Sequence, residues 1–577
     1  MKKNYLQNEK RIVRNSLTCF SFILLLFLTM QMYAQNPQCQ WAEKITGTRN
    51  EYTNSISSDV NGNVFLASAF VSDTLTFNNG IIFLNSGGSD GYIAKYNSSG
   101  ICQWAEKIAG TDGDYARSIS TDANGNVYVA GDFWSDTLTF NNEITLSKSD
   151  GMDVYIAKYN SEGICQWAEK IAGTDWDNAR SIITDVNGNV YVAGNFSSYI
   201  LTFNNGISLS GSVFSDVYIA KYNNDGVCQW AEKIAGESSV YVYSISTDAN
   251  GNMFVAGNFG SDTLTFNNGI TLSNSGANVY IAKYNSDGVC QWAEKIDANG
   301  FLSVNSISTD AHCNVYVAGD FSSYLLTFNN GISLSCNYDD VYLAKYDSDG
   351  VCQWAEKIAG NSRETASSII TVPNGNVYVA GEYDSGIITF NNGITISKSG
   401  YYKNVYITKY NSNGICQWAE KIAGTEHKDL VSSISTDAKG NVYLAGDFYS
   451  ATLIFNNGIT LSNTNSGEMD SYIAKYTESP QGIPFLSSST NNAMLFLSPN
   501  PVNENSLNIA FNLLTPEQVT IEIANMLGEV VSVVKANEFF PQGEHSSNAD
   551  ISNFLSGYYF CILRYKDKVY QQQFIRY

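Results

Sequence analysis

The chain has 577 residues, of which 15% are charged, and its 55 acidic residues outnumber 33 basic ones, leaving a formal net charge of −22. That length allows more than one domain. The acidic excess argues against a nucleic-acid partner or an anionic membrane surface, because both attract lysine and arginine. An acidic coat is a common means of staying soluble, so the charge alone indicates no chemistry at an acidic site.

Residues 1–34 have the order of segments that is typical of a secretory signal peptide. Five basic residues within 2–14 precede an apolar run at 17–30, and Ala34 provides the small residue at which cleavage is expected. The run is shorter than the about 20 residues that a membrane-spanning helix requires. We therefore predict a cleaved signal peptide at 1–34, an exported protein and no membrane span after its removal.

The heptapeptide CQWAEKI occurs seven times, and its regular spacing indicates a repeat protein. Subtraction of successive cysteine positions gives intervals of 63, 63, 63, 62, 62 and 64 residues. Units of such a period bury their apolar surface only against their neighbours. The first residues of the seven copies are Cys39, Cys102, Cys165, Cys228, Cys290, Cys352 and Cys416.

Each unit contains the signals of four short antiparallel strands. In one unit, a first strand at 117–121 and a second at 126–133 flank an Asn-Gly pair, the strongest short signal for a hairpin because glycine accepts positive φ. A third strand is predicted at 154–159 and a fourth at 164–171. Four antiparallel strands per unit, repeated around a ring, describe the blades of a β-propeller.

The two ends of the repeat region indicate how such a ring closes. The region opens at 39–45 with a fourth strand that has no preceding partners, and it ends with three strands at 433–437, 441–448 and 471–476. Pairing of the orphan strand with this last unit removes an open sheet edge, whereas a linear array of sheets leaves both ends unpaired. We therefore predict an all-β fold in which residues 35–477 form a seven-bladed β-propeller closed by the N-terminal strand.

Two segments recur with small changes in all seven units. They are SISTDANGNVYVAGDF, here at 118–133, and DVYIAKYNSEG, here at 153–163. With them the region from about 39 to 477 resembles the bacterial β-propeller repeat family called SBBP. The resemblance implies a propeller of an exported bacterial protein, and it implies no defined activity.

The repeats stop near Thr477, and the residues beyond have the composition of a linker and then of a second domain. Proline, glycine and serine mark a linker at 478–492. Several short strands in so small a segment predict a β-sandwich at 493–577. The predicted strands of this domain are 507–513, 519–525, 529–535 and 558–565.

A group of short motifs lies at the very C-terminus of the chain. They comprise Pro499-Asn500-Pro501, Gly528 at the end of a Met-Leu-Gly triplet, and Gly557 before a Tyr-Tyr-Phe run. Together, and behind a signal peptide, they resemble the C-terminal sorting domain of the type IX secretion system of Bacteroidetes. The resemblance implies the type IX secretion machinery as a partner, passage across the outer membrane with removal of the tail, and release or attachment at the cell surface. The alternative is an ordinary sandwich that binds another molecule.

Residue types that commonly carry catalysis are scattered in this sequence. The three histidines, His312, His427 and His545, occur in different places, so neither a Ser/His/Asp arrangement nor a histidine-rich metal centre is indicated. Seven of the eleven cysteines occupy one place in each repeat, too far from their equivalents to bridge, and we predict small buried side chains. We predict no catalytic residues, no metal ligands and no cofactor.

The repeated Asp-Ala-Asn-Gly-Asn segment, as at 122–126, is an oxygen-rich pattern that loosely resembles a calcium loop. It lacks the twelve-residue spacing and the terminal glutamate of that loop. Asp and Asn side chains also bond their own backbone in tight turns. We therefore predict a side-chain-capped hairpin turn, with calcium binding as the alternative.

The connections between units vary more than the turns within them, and this variation indicates where a ligand binds. The fourth-to-first and second-to-third connections lie on one face of a propeller, and the former differ markedly between units. The only tryptophans outside the heptapeptide fall there, where exposed aromatics near Asp and Asn suit a sugar or a protein hot spot. Alternatively, such aromatics fold onto their own blade. The candidate ligand-binding residues are Tyr115, Trp134, Asp175, Trp176 and Asp177.

These features predict an exported or surface-displayed scaffold that binds a glycan or a protein without chemistry. One alternative is a polysaccharide-degrading enzyme that uses carboxylates of the variable connections, such as Asp114, Asp175 or Asp177. Another is a structural component of the cell surface or matrix. The sequence alone does not identify the ligand.

Overall fold

The computed structural model describes residues 36–478, apart from 274–276, 337, 374, 425 and 464–466, and residues 495–576, apart from 499–501, 503–504, 514, 526–528, 556 and 567. The predicted signal peptide, the predicted linker beyond 478, and Pro499, Asn500, Pro501 and Gly528 lie outside the described residues. The chain divides into two units, one formed by residues 35–479 and another that contains 480–577. Strands dominate both, which confirms the predicted all-β class.

Within the first unit, seven antiparallel sheets each hold four long strands, as the turn signals predict. The first strands are Glu51–Ser58, Asp114–Thr121, Asp177–Thr184, Val240–Thr247, the two pieces Phe301–Leu302 and Ser306–Thr309, Glu364–Thr371 and Asp429–Thr436. The second strands are Val64–Phe70, Val127–Phe133, Val190–Phe196, Met253–Phe259, Val315–Ser322, Val377–Tyr383 and Val442–Phe448. The third strands are Asp90–Tyr96, Asp153–Tyr159, Asp216–Tyr222, Ala277–Tyr284, Asp340–Tyr346, Asn404–Tyr410 and Asp470–Thr477. The fourth strands are Cys102–Ile108, Cys165–Ile171, Cys228–Gly236, Cys290–Ala298, Cys352–Ile358, Cys416–Gly424 and, for the last sheet, Gln38–Gly47.

A short hairpin separates the second and third strands of every repeat, and a buried phenylalanine such as Phe140 anchors it. The paired strands of these hairpins are Thr74–Thr76 with Ile82–Leu84, Thr137–Thr139 with Thr145–Ser147, Ile200–Thr202 with Ser208–Ser210, Thr263–Thr265 with Thr271–Ser273, Leu326–Thr327 with Ser333–Leu334, Ile387–Thr389 with Thr395–Ser397, and Thr452–Ile454 with Thr460–Ser462. Five of the hairpins turn through a single 3₁₀ turn. These turns are Asn204–Gly206, Asn267–Gly269, Asn329–Gly331, Asn391–Gly393 and Asn456–Gly458.

The first strands begin earlier than predicted, because a β-bulge kinks six of them and the fifth is divided into two pieces. In the second repeat the strand starts at Asp114 rather than at 117, and its register shifts between Ala116 and Ser118. A bulge leaves its extra residue, here Arg117, unpaired and bends the strand. Equivalent shifts occur at Asn54, Arg180, Tyr243, Ser367 and Ser432.

The sheets pack face to face, so the inner strands of each repeat are buried on both sides. All seven residues of Val127–Phe133 are buried. Val127, Val129 and Phe133 belong to a core cluster that also contains Phe65 and Ile93 of the preceding repeat, whereas Tyr128 and Ala130 belong to a cluster with the following repeat. A strand that is covered on both faces reads as an almost continuous apolar run, which is the pattern of these segments.

The first and last repeats make the same contacts with each other as repeats that are neighbours in the sequence. Gln38–Gly47 pairs with Asp470–Thr477, from Gln38 opposite Thr477 to Ile45 opposite Ser471. In every repeat, an isoleucine N–H of the first strand donates to a serine Oγ of another first strand, at 3.1–3.3 Å. The pairs are Ile119 with Ser55, Ile182 with Ser118, Ile245 with Ser181, Ile307 with Ser244, Ile369 with Ser306, Ile434 with Ser368, and Ile56 with Ser433.

The heptapeptide tryptophans join each repeat to the next. The Trp104 Nε1–H donates to the carbonyl of Ser161 at 3.1 Å, in the third-to-fourth turn of the following repeat. At the last third strand, the Trp418 Nε1–H instead donates to Glu478 Oε1 at 3.0 Å. Glu478 also accepts bonds from the hydroxyl of Tyr378 and the ammonium of Lys409. Here a carboxylate thus takes the role that a backbone carbonyl has in the other repeats.

The turn glycine above each tryptophan leaves no room for a side chain, which makes a matched pair of substitutions informative. Gly163 has a φ of +82°, and a Cβ there would lie 2.8 Å from the ring of Trp104. Gly206 also has a φ of +82°, but nothing lies within 4 Å of its Cβ position. We expect Gly163→Ala to lower the free energy of unfolding by about 3 kcal/mol and Gly206→Ala by about 1 kcal/mol. Denaturant titration measures both, and equal losses would contradict the tight contact with tryptophan.

The heptapeptide cysteines are buried in the described structure, as predicted. The Cys165 thiol lies 3.5 Å from the carbonyl of Trp167, and burial raises its pKa to about 12. The ten cysteines within the described residues carry free thiols. Such thiols behave as small apolar side chains.

The C-terminal residues form two antiparallel sheets around one cluster of buried side chains, which includes Leu507, Ile521 and Cys561. The first sheet contains Leu495–Ser498, Ser506–Leu513 and Gly543–Asp550. The second contains Glu517–Asn525, Val530–Phe540, Gly557–Tyr565 and Lys568–Arg576. The sequence analysis missed Gly543–Asp550 and Lys568–Arg576, because both are polar for most of their length. Gly557 of the sorting motif begins one of the strands. Neither this part nor the other described residues contain a helix long and apolar enough to cross a membrane.

Candidate functional site

Exposed aromatic side chains of the repeat unit are confined to one edge of the sheets. At this edge lie the fourth-to-first connections, the second-to-third connections and the starts of the first strands, and we call it the variable face. Aromatic rings suit ligand binding because they offer a large rigid surface at little entropic cost. The exposed aromatic residues of the described repeat unit are Tyr52, Trp176, Tyr199, Phe214, Tyr241, Tyr243, Phe301, Tyr324, Tyr338, Tyr401 and Tyr402.

The opposite edge carries the turns within each repeat, in which Asp and Asn side chains bond the backbone of their own turn. Asp122 Oδ1 accepts from the backbone N–H groups of Asn124 and Asn126, both at 2.9 Å, and its Oδ2 accepts from the Asn126 side chain at 2.7 Å. This is the capped-turn geometry that the sequence predicts. Among the described residues, no group of three or more His, Cys, Asp or Glu side chains is arranged to hold a metal ion.

The two predicted tryptophans meet across neighbouring repeats. Their ring centroids lie 5.5 Å apart at an angle of 79°, an edge-to-face contact. Trp176 remains 61% exposed, whereas Trp134 is half-buried. Both backbones are fixed, since the Trp134 N–H donates to Gly113 O at 2.9 Å and the Trp176 carbonyl accepts from the Ser197 N–H at 3.0 Å. The exposed indole of Trp176 therefore lies on a backbone that hydrogen bonds hold in place.

Tyr115 lies beside this pair and supports an arginine. The guanidinium carbon of Arg117 lies 4.2 Å from the Tyr115 ring centroid, a cation–π contact. Arg117 also donates to both carboxylate oxygens of the buried Asp132, at 3.1 and 2.9 Å. Such bidentate geometry holds a guanidinium rigidly. The half-buried Tyr115 ring thus forms part of a fixed aromatic and cationic surface.

The two predicted carboxylates of the site occupy opposite environments. Asp175 is exposed, and its Oδ1 accepts from the Trp176 N–H at 2.9 Å. Asp177 is fully buried, and it accepts from the Ser198 hydroxyl at 2.7 Å. Burial raises the pKa of Asp177 to about 7, although its bonds to Ser198 oppose the rise. The Asp177 side chain therefore lies beneath the variable face, where it supports the loop that carries Trp176.

Asp114, a carboxylate of the enzyme alternative, has the same structural position as Asp177. It is fully buried, accepts from the Ser135 hydroxyl at 2.8 Å, and has its pKa raised by burial to about 6. Of the three carboxylates considered for catalysis, only Asp175 is exposed. Opposed exposed carboxylates, as glycoside hydrolysis requires, are not formed by these three.

The sequence analysis did not select the residues of the first-strand bulges. These positions point out of the ladder at the variable end of the sheets and include Arg117, Arg180 and Tyr243. A signal was available, because this position varies while the serine that follows it recurs. The bulge residues were not selected because the predicted first strand began at the bulge instead of continuing through it.

Comparison with known families identifies two segments of the chain. Residues 103–136 match the family described as a beta-propeller repeat, SBBP, and residues 497–576 match the secretion system C-terminal sorting domain. The latter match includes all five residues of the predicted sorting motif. The chain therefore carries a repeat of the SBBP type and a type IX sorting domain. The protein is exported, to the cell surface or into the surroundings.

Two known proteins are similar to longer stretches. An uncharacterized WD repeat-containing protein of Acanthamoeba polyphaga mimivirus is 23% identical over 462 residues, covering 65% of this chain and 33% of that protein. The regulatory protein FlaEY of Caulobacter vibrioides is 25% identical over 198 residues, covering 32% of this chain and 19% of that protein. The chain thus spans about a third and about a fifth of the length of these relatives.

Solved structures resemble the chain only distantly. A fungal alcohol oxidase in complex with copper has a TM-score of 0.37 at 12% identity, with 94% of this chain and 100% of that chain covered. A polysaccharide lyase bound to a saccharide has a TM-score of 0.36 at 11% identity, with 70% and 93% covered. Scores of this size carry no argument about function.

Proposed function

We propose that the seven repeats form a closed seven-bladed β-propeller, that the tail is a β-sandwich, and that the exported propeller binds a glycan on its variable face without chemistry. Closure is supported by the pairing of Gln38–Gly47 with Asp470–Thr477 and by the Ile56–Ser433 bond. The single core shared by the two C-terminal sheets supports the sandwich. The proposal includes a signal peptide at 1–34, a propeller at 35–477, a linker at 478–492 and a sorting domain at 493–577.

The observation that carries the binding proposal is the confinement of exposed aromatic rings to the variable face. Single exposed apolar side chains are normal on all sides of a soluble protein. Their accumulation on one side marks a surface that contacts a ligand or a partner. Sugars offer C–H faces that pack on an indole and hydroxyl groups that bond to carboxylates. Trp176 and Asp175 present both groups side by side. A glycan therefore matches this surface better than a wholly apolar protein patch does.

Retention on insoluble polysaccharides tests this function. The full exported chain is incubated with a panel of them, and both bound protein and released sugar are measured. We expect retention on at least one polysaccharide without sugar release, and Trp176→Ala to weaken it about tenfold, because an exposed stacking ring is removed. Val186→Ala is the control, since it removes an exposed apolar side chain from the opposite edge of the sheets.

The unfolding temperature should stay unchanged in both variants, because both side chains are exposed. Equal retention of Trp176→Ala and the parent chain would contradict the proposed site. Sugar release would replace the binding function by an enzymatic one. Absence of retention on every polysaccharide would leave the structural role as the better account.

A further inference from the structure

Arg180 differs from the other arginines of the repeat unit in having no acidic partner among the described residues. The repeat unit contains four arginines, and three of them pair with aspartates: Arg49 with Asp73, Arg117 with Asp132, and Arg363 with Asp339. The Arg180 side chain is exposed, and it makes no ion pair or hydrogen bond within the described part of the chain. In a protein of net charge −22, an unpaired arginine amid so many carboxylates calls for a physical explanation.

The local structure explains why Arg180 remains unpaired. The buried carboxylate that Arg180 affects electrostatically, Asp132, already accepts two hydrogen bonds from Arg117. Burial raises the pKa of Asp132, while Arg117 and, more weakly, Arg180 oppose this rise, so Arg180 lies within electrostatic range of an occupied partner. The guanidinium of Arg180 is therefore left free to bind an anion from solvent.

The position of Arg180 connects it to the tryptophan pair. Trp176 and Arg180 are exposed and Asn178 is half-buried, whereas Asp177 and Ala179 between them are buried, so the first three lie on the solvent side of this segment. Four residues of strand separate Trp176 from Arg180 by roughly 13 Å. A ligand that touches both is therefore an oligosaccharide rather than a single sugar.

The neighbours of Arg180 extend the same surface. Hydrogen bonds join Ile182 to Ser118 and Ile245 to Ser181, so the three first strands of these repeats lie side by side. Their bulge residues, Arg117, Arg180 and Tyr243, therefore follow one another. Tyr243 is 39% exposed, and Arg180 lowers its pKa against the larger, opposite effect of burial. Arg117, Arg180 and Tyr243 thus form a row of guanidinium and aromatic groups that extends the surface of Trp176.

We propose that the glycan bound on the variable face is acidic, and that Arg180 binds its carboxylate or sulfate groups while Trp176 stacks on a sugar ring. This inference rests on the proposed glycan-binding function and specifies its ligand. Arginine matches the geometry of both oxyanions, and its bonds to them are charge-assisted. The overall negative charge repels polyanions, so only a local cationic site explains their retention.

Matched pairs of charged and neutral polymers test the inference on the full exported chain. Polygalacturonate and its methyl ester differ in their carboxylates, and dextran sulfate and dextran differ in their sulfates. We expect the charged member of at least one pair to bind at least about tenfold more tightly, and Arg180→Gln to remove that difference. Arg180→Lys should restore part of the affinity because the charge returns. Which pair discriminates identifies the oxyanion.

Arg363→Gln is the control, because it removes an equal charge from a paired and exposed arginine of the same face. Equal losses in Arg180→Gln and Arg363→Gln would overturn the inference, since charge would then act without a site. Equal binding of charged and neutral polymers, still sensitive to Trp176→Ala, would overturn it while leaving the glycan-binding function intact. Absence of binding to all of these polymers and to the wider polysaccharide panel would remove both.

Discussion

Deletion of residues 36–47 is expected to abolish cooperative unfolding of the repeat unit. These residues contain Gln38–Gly47, which pairs with Asp470–Thr477 and buries Ile45 completely. Without them the last sheet has three long strands, an open edge and an exposed core, a state that favours aggregation. We expect the deletion variant to lose its thermal transition by circular dichroism or to be recovered only as aggregate.

A permuted chain separates loss of the strand from loss of the ring. In it, residues 36–47 are moved from the N-terminus to follow Glu478, joined through the turn Asn-Ser-Glu-Gly that connects third and fourth strands in the second repeat at 160–163. The strand then pairs with its natural partner as an ordinary hairpin. We expect the permuted chain to regain a cooperative transition. An unchanged unfolding temperature after the deletion would show that the first and last repeats do not depend on each other.

The second large effect is an unusual dependence of stability on pH. Buried carboxylates recur at the starts of the first strands, each beside a serine hydroxyl. Burial raises the pKa of Glu51 to about 9, of Asp114 to about 6, and of Asp177, Glu364 and Asp429 to about 7 each. The unfolded chain has its carboxyl pKa values near 4. The folded state therefore binds more protons between about pH 4 and about pH 9.

The sign of the effect follows from this difference in proton binding. A raised pKa stabilises the folded state at low pH, and this contribution is lost as the pH rises through the folded pKa values. We expect the unfolding temperature to fall steeply from about pH 4.5 to about pH 7.5 and then more gently to about pH 9, where Glu51 also ionises. This is the reverse of a protein whose carboxylates are stabilised by ion pairs.

Asp177→Asn tests the assignment at a single position. An amide cannot ionise, so the variant should gain about 2 kcal/mol in the free energy of unfolding over the parent at pH 8 and change little at pH 4.5. Asp175→Asn is the control, because Asp175 is exposed and should leave the pH profile unchanged. A parallel pH profile for Asp177→Asn and the parent chain would exclude Asp177 as a contributor.

Most of the repeat architecture could be predicted because its signals are local. The Asn-Gly turn at 124–125 and the apolar run Val127–Phe133 each span only a few residues. Because both recur in the other repeats, each copy supports the same prediction of a turn followed by a strand. The start of the first strand was predicted three residues too late. Arg117 interrupts the pairing as a bulge, and a bulge is defined by the partner strand rather than by its own sequence.

The candidate site remains a prediction, and the structure shows where each of its predicted residues lies. Trp134 and Trp176 were selected for their place in variable connections, and both lie on the variable face in contact with each other. Asp175 and Asp177 looked equivalent in sequence, yet one is exposed and the other is buried. Arg180 belongs to no sequence motif, and its proposed role depends on the pairing of Arg117 with Asp132.

The sequence by itself determined the period, the strands of each repeat and the signals for export, because turn residues and alternating apolar residues act over a few positions. The tertiary structure alone decided which carboxylates are buried, which arginine has no acidic partner among the described residues, and that Glu478 accepts the hydrogen bond of Trp418. These outcomes depend on contacts between repeats that are far apart in the chain. The physical reason is that alternation along a strand directs its side chains to two faces. The packing of the neighbouring sheet then determines which polar side chains are removed from water and which of them find a hydrogen-bond partner.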